Sequence, residues 1–394
     1  MTSSRVVDLS ARIAANTLKV NEFLSSRGLP QPSFNIDGPS HSLIPPNELM
    51  IAIAPPKEYL TSFKHNELIS QHAIMRFRLA EAIPVGGQAT FQELAESSDL
   101  NETHIRKLLR FAMTQHIFCE PQPGVVAHTA ASRLLVEDQR LSNWLRFSTD
   151  ELWHASYETA NAMEKFPGLE EPNKSGFALA NNTNQSMFQY YQEHPDRQER
   201  FAAAMGFFAK RPGLEPEHVV DNYPWSDICD GGTVVDVGGS CGLISIAIAR
   251  KFPKLLFIVQ DLDARVIEDT TLQRPLELSD QQPVRGGEVY FLRAVLHNWS
   301  DIYAIKILRA LVPALKPSAK ALLNELVIPE LNTNMPATQA ARVRGNDLNM
   351  LTLQNGGDRE LTQWDRLVTN AHLGFRFHSG HQPPRSAGPA WYNS

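Results

Sequence analysis

From Thr233 onward the chain alternates short apolar runs with stretches of helical period, the pattern of a parallel sheet whose strands are joined by helices. The pattern predicts strands at 233–237, 255–259, 288–295 and 320–328, and helices at 242–252, 263–272, 301–315, 338–354 and 362–371. Residues 140–212 read as mostly helical and carry many aromatics, among them Trp144, Trp153, Phe177, Phe188, Tyr190, Tyr191 and Phe201. Most of these belong in a core. An apolar cavity for a flat ligand is the sharper reading.

The first part of the chain is patterned differently. Residues 5–28 place Val6, Val7, Leu9, Ile13, Leu18, Val20 and Phe23 at helical spacing, and Gly28–Pro46 reads as a connector. Between 70 and 135 the spacing predicts a helix over Gln71–Ala82, stopped before Pro84. A second begins at Thr90, with Glu93 at capping-box distance, and a third covers Glu102–Gln115. Ile117–Cys119, the turn Pro121–Gly124 and Val125–His128 then suggest a hairpin. Three helices and a hairpin make a winged helix. Its third helix carries His104, Arg106, Lys107 and Arg110, which offers DNA binding as one reading and a dimer-forming scaffold with a solvated basic face as the other.

Charge favours the scaffold. The formal net charge of −6 argues against nucleic acid or an anionic membrane as the main partner, and no apolar run approaches the ~18 residues of a membrane span. Cys119, Cys229 and Cys241 lack metal-ligand spacing and suit a reduced, cytoplasmic protein without a signal peptide.

The chemistry concentrates at strand ends. Asp236 closes the first strand, and Gly238, Gly239 and Gly242 follow at the strand–helix junction. Asp261 stands at the end of the next strand. The order Asp-x-Gly-x-Ser-x-Gly departs from the usual dinucleotide fingerprint and favours S-adenosylmethionine. Backbone without side chains approaches such a ligand, and a strand-end carboxylate suits a ribose diol. Ser240 interrupts this run of glycines, at little cost if its φ is not positive. His297 lies just past the strand Val289–Val295, on the side where ligands of such sheets bind. Glu325 interrupts an apolar strand, where a carboxylate needs a partner, and Asp358 follows Gly356–Gly357. Either could orient an imidazole through its second nitrogen.

The segments VVDVGGSCGLISIAIARKFP, FIVQDLD, VYFLRAVLHNWSD, LLNELVIPE and DLNMLTLQNGGDRE together resemble the class I, plant-type small-molecule O-methyltransferases, in particular their fungal secondary-metabolite branch. The resemblance implies a Rossmann-like α/β methyltransferase sheet behind an N-terminal helical, winged-helix dimerisation domain. It implies a cytosolic homodimer, an S-adenosylmethionine donor, a metal-independent reaction and a small aromatic or polyketide substrate. By position it makes Asp236, Gly238, Gly239, Gly242, Asp261, Leu262 and Arg293 cofactor contacts and His297 the general base. Glu325 and Asp358 become the carboxylates that steady the base, aspartate at 358 replacing the usual glutamate. The implied domains are 1–135 for dimerisation, 136–220 for substrate binding or linkage, and 221–394 for cofactor and catalysis.

Two features depart from that family. The window Gln273–Gly287, where a third strand is expected, offers no run of about 4–8 apolar or β-branched residues, which predicts a missing edge strand. Phe375–Phe377 suits the first of two closing strands, but Pro383, Pro384, Gly388 and Pro389 predict that the last is absent or irregular. The same fold acting on a natural-product intermediate without methyl transfer, as a cyclase, isomerase or inactive homologue, is the alternative these departures leave open.

Overall fold

The computed structural model describes residues 64–208, 214–261, 281–329, 335, 337–375, 379–381 and 390–393, with scattered positions of 11–28. The expected helix at 263–272, Leu262, Phe377 and residues 273–280 of the short window lie outside them. The chain divides into two compact units, Met1–Asp150 with Pro336–Thr338 and Glu151–Met335 with Gln339–Ser394.

The described positions between Ala11 and Ser26 are helical. The rest of the first unit runs α1 (Lys64–Arg76), β1 (Gln88–Thr90), α2 (Phe91–Ser98), α3 (Glu102–Thr114), β2 (Cys119–Gln122), β3 (Val125–Ala127), α4 (Ala130–Glu137) and α5 (Gln139–Phe147). The order of its three strands is β1-β3-β2, all antiparallel. This is the winged-helix arrangement. Thr90 and Glu93 form the expected capping box. Ile105, Leu109 and Ala112 of α3 face a core that also holds Phe91, Leu94 and Phe118. The first helix differs from its expected span because Arg78 adopts φ +52 and Leu79 N–H reaches back to Ile74 O at 3.0 Å, a Schellman-type stop well before Pro84.

The second unit continues with α6 (Trp153–Lys165), α7 (Gly176–Ala180), α8 (Met187–Glu193), α9 (Pro195–Phe208) and α10 (Pro216–Asn222). Then come β4 (Thr233–Val237), α11 (Leu243–Lys251), β5 (Leu256–Gln260), β6 (Val289–Arg293), α12 (Asp301–Leu311), β7 (Lys320–Glu325), α13 (Ala337–Gln354), α14 (Leu361–Ala371), β8 (Ser379–His381) and β9 (Ala390–Asn393). The sheet order is β5-β4-β6-β7-β9-β8. The first four strands are parallel, and β9 and β8 join antiparallel. The last strand is therefore present and pairs with β7, which corrects the expectation that it is absent or irregular as far as absence goes. Pro383, Pro384 and Pro389 come in sequence after the last residue of β8 and before the first of β9, and lie outside the described residues. Among the described residues no strand lies beyond β5, and 281–288 hold none.

Period-two alternation sends the strands' side chains to two cores. Val235, Tyr290, Leu292 and Leu323 meet Ile307 and Leu308 of α12 and Trp364 and Leu367 of α14. Val234, Val289, Phe291 and Leu322 meet Val219 of α10 and Ile244 and Ile248 of α11. With both faces covered, the strands read as near-continuous apolar runs, and polar residues gather at their carboxyl ends.

Candidate active site

Asp236 shares a sheet face with Val234, beneath α11. Ser245 Oγ of α11 donates to its Oδ2 at 2.6 Å. Burial raises the Asp236 pKa to about 6, although the Ser245 bond and the Arg293 charge oppose that rise. A Cβ on Gly239 would lie 2.5 Å from the Asp236 carboxyl group. Asp236 thus supports the turn from below.

The turn folds back on β5: Gly238 and Gly239 N–H both donate to Gln260 O, at 2.7 and 3.1 Å. Gly238 has φ +76, and a Cβ there would lie 2.8 Å from Cγ2 of Val295. Gly242 stands at the N-cap of α11. Ser240 N–H donates to Asp261 Oδ2 at 2.8 Å, which fixes the strand-end carboxylate across the turn. Ser240 itself has φ +50, so the condition for a cheap replacement of glycine is not met. A serine there costs about 1–2 kcal/mol relative to an unstrained backbone.

Arg293 ends β6. Its Nε donates to Asn324 Oδ1 at 2.9 Å and its Nη2 to Leu214 O at 2.5 Å. Burial lowers its pKa against the opposing pull of Asp236 and Glu325. These residues fit an adenosyl group. Backbone bare of side chains bends at the end of β4, a carboxylate stands at the end of β5, and a guanidinium lies in the field of Asp236 and Glu325. Asp261 would hold the ribose hydroxyls and the glycine turn the methionine moiety.

His297 lies in a short 3₁₀ turn, Leu296–Asn298, between β6 and α12. Its Nδ1 is 3.1 Å from Asp358 Oδ1, and the Asp358 side chain is wholly buried. The second Asp358 oxygen accepts Asn346 Nδ2 of α13 at 2.7 Å. Glu325 acts on the backbone instead of the ring: its Oε1 accepts Val295 N–H at 2.9 Å and Leu296 N–H at 2.7 Å. Its Oε2 has no hydrogen-bond partner among the described residues. Burial alone would lower the His297 pKa, but the Asp358 hydrogen bond and the charges of Glu325 and Asp358 outweigh it, and the net shift is upward. Burial raises the Glu325 pKa, opposed by His297 and the two backbone donors.

Arg359 ties this turn together. Its guanidinium donates to Leu296 O, Gly357 O, Trp299 O and Asp301 Oδ1, and it stacks 4.9 Å from the Trp364 ring centroid. Trp299 in turn meets Phe188 of α8, with centroids 5.9 Å apart. Phe188 continues through Phe201 to Tyr191 and Phe177, which pack edge-on or tilted around Arg197. Of the aromatics named in the helical segment Phe177 and Tyr191 are buried, and Phe188, Tyr190 and Phe201 are half-buried, so fewer reach the core than expected. A cavity of about 310 Å³ among Met163, Phe166, Leu169, Lys174, Leu351 and Asn355 borders none of the expected site residues.

Sequence reading missed Ser245, Asn346 and Arg359. A signal existed for two of them. Asn346 and Asp347 are adjacent polar residues in a helix expected to cover a dry site, and Arg359 directly follows Asp358.

The chain matches the family model of an O-methyltransferase domain over residues 170–376 and that of an O-methyltransferase dimerisation domain over 63–138. It is similar to the grayanic acid biosynthesis cluster O-methyltransferase of Cladonia grayi, 35% identical over 95% of this chain and 84% of that relative. Among solved structures it is similar to OxaC in complex with SAH and oxaline, with TM-score 0.74 and 21% identity over 88% of this chain and 89% of that one. It is also similar to a pericyclic reaction enzyme, with TM-score 0.71 and 20% identity over 88% and 91%. These two likenesses speak for the fold; the family matches and the sequence relative speak for the reaction. The chain belongs to the S-adenosylmethionine-dependent O-methyltransferases, in the fungal branch that serves secondary metabolism.

Proposed function

We propose that this enzyme methylates a phenolic hydroxyl of an aromatic secondary metabolite, such as an aromatic polyketide, with His297 as general base. The observation that carries the reading is the bond between His297 Nδ1 and the buried Asp358, whose other oxygen already accepts from Asn346. A carboxylate so held accepts the Nδ1–H, and the lone pair of Nε2 is left to take a proton. S-adenosylmethionine, when bound, supplies the methyl group on a sulfonium.

The chain's own residues do the rest. A phenol near pKa 10 does not give its proton to an imidazole in advance, so His297 accepts it as the oxygen attacks; such a base contributes roughly 10²–10⁴-fold. Alignment contributes more, up to about 7–11 kcal/mol where near-attack geometry is held. Glu325 holds the His297 loop by its amides, and Gly238 seats the cofactor turn against Val295 of that same loop. The Phe188–Trp299 contact supplies aromatic surface two residues from the base and supports a flat acceptor.

Residues 1–135 are read as the dimerisation domain of a cytoplasmic homodimer, 136–220 as the substrate-binding segment and 221–394 as the catalytic domain. The dimerisation match supports the first assignment. Nucleic acid is not a partner in this reading. Arg110 is held bidentately by Glu120, and Arg106 pairs with Glu102 and lies over Phe91, so α3 spends those two charges internally. Among the described residues no helix is long and apolar enough to cross a membrane.

Incubation with S-adenosylmethionine and a panel of phenols, read by mass spectrometry, tests the proposal. Methylated phenol and S-adenosylhomocysteine are expected in equal amounts, with loss of both in His297→Gln. Product without S-adenosylhomocysteine would instead mark chemistry without methyl transfer, and full turnover by the variant would remove the base role.

A further inference from the structure

We infer that Asn346 is a positioning residue for the base, and that with Asp347 it lets an aspartate at 358 do what a longer carboxylate would otherwise do. The inference rests on the reading of His297 as the base. Adjacent residues of α13 grip Asp358 at two points: Asn346 Nδ2 donates to its Oδ2 at 2.7 Å, and its backbone N–H donates to Asp347 Oδ1 at 2.9 Å. The side chain is one methylene short of glutamate, and the backbone makes up the reach. Gly357 N–H donates to His297 O at 2.9 Å, and a Cβ on Gly356 would lie 2.5 Å from that same carbonyl oxygen. The 356–358 bend therefore rests directly on the histidine turn, and only a residue without a side chain fits at its crest.

A short acid placed this way has one torsion that matters, rotation of its carboxyl plane. Asp358 Oδ1 faces His297 only while Oδ2 is held elsewhere, and Asn346 is the side chain that holds it. Within a wholly buried group, losing that donor leaves an oxygen unpaired, and the carboxyl group turns to recover a partner. The imidazole then loses the acceptor that keeps its proton on Nδ1. The charged groups bearing on His297 are Asp358 beyond α13, Glu325 on β7 and Arg359 at the end of the bend, and Asp347 bears on Asp358. A carboxylate in place of Asn346 adds negative charge beside Asp358 and makes the imidazolium easier to form.

The test follows the ring directly, without substrate. The protein labelled with ¹⁵N-histidine is titrated by NMR as wild type, Asn346→Asp and Asn346→Leu, and the His297 signals are assigned by their disappearance in His297→Gln. The wild type should show a single tautomer with hydrogen on Nδ1. Asn346→Asp should raise the His297 midpoint by about one pH unit. Asn346→Leu, its fold checked by circular dichroism, should show a second tautomer with hydrogen on Nε2. On a phenol that the wild type turns over, it should also lower kcat about tenfold with KM for S-adenosylmethionine unchanged. An unmoved midpoint in the first variant together with a single tautomer in the second overturns the inference. Turnover retained by His297→Gln overturns the base reading instead and leaves the ring titration as the judge of Asn346.

Discussion

Gly238 and Val295 touch: a Cβ added to the glycine would lie 2.8 Å from Cγ2 of the valine. The bend that should receive the cofactor and the loop that carries His297 are therefore seated on one another, and what disturbs one disturbs the other. Gly238→Ala meets both this contact and a backbone at φ +76. It should cost about 1–3 kcal/mol of stability and weaken S-adenosylmethionine at least tenfold, measured by thermal denaturation and titration calorimetry. Adding Val295→Ala should recover part of the loss, because it clears the contact and leaves the torsion.

Ser240→Gly should act in the opposite sense. It releases a left-handed serine while the backbone bond to Asp261 survives, since that bond uses the amide. Set against the extra freedom glycine gains on unfolding, the net stabilisation should be about 0.5–1 kcal/mol, seen as a rise in Tm.

Asp236 carries a pH signature. Its folded pKa of about 6 stands above the ordinary 3.8, so its contribution to stability is intact below about pH 3.8 and is lost as pH rises through 6. Asn keeps an acceptor for Ser245 and removes the buried charge. Asp236→Asn should gain on the order of 2–3 kcal/mol above pH 6 and nothing near pH 3.5, in denaturant titrations at the two pH values.

The proposed base, His297, carries another. If His297 is the base, its pKa above 6.5 should make kcat climb with pH through a midpoint above that value, because only the neutral ring accepts a proton. The same shift makes the protonated ring a stabilising feature below pH 6.5, lost as pH rises through the folded value. Asp358→Asn removes the charge behind much of the rise. Its kcat midpoint should fall, and its stability advantage at low pH should shrink, both read from pH series against wild type.

Arg359→Lys tests the turn that holds His297. A lysine ammonium does not span Leu296, Gly357 and Trp299 carbonyls at once, and it gives up the planar stack on Trp364. A loss of about 2–4 kcal/mol is expected in chemical denaturation.

Much of this was legible in the sequence where the signal is local. The four parallel strands announced themselves because burial on both faces writes continuous apolar runs. The Thr90 box, the glycine bend and His297 after its strand follow from short-range rules. What escaped depends on residues far apart in the chain. Nothing local distinguishes a Glu325 that holds Val295 and Leu296 amides from one that holds the ring. Asn346 acquires its partner only when α13 passes the 356–358 bend. Helix α1 ended early because a backbone torsion at Arg78, not the proline beyond it, stopped the helix. The closing strand was hidden because the prolines that precede Ala390 in the sequence argue against a ladder.

The bend at Gly356 has a consequence for descent. Positions 356 and 358 should not drift independently: a longer acid would need the bend to recede from His297, and any side chain at 356 would meet the His297 carbonyl and forfeit the close seat a short acid needs. Related enzymes should therefore inherit the two positions as one unit, so that the smallest residue in the segment foretells the size of the acid two places on.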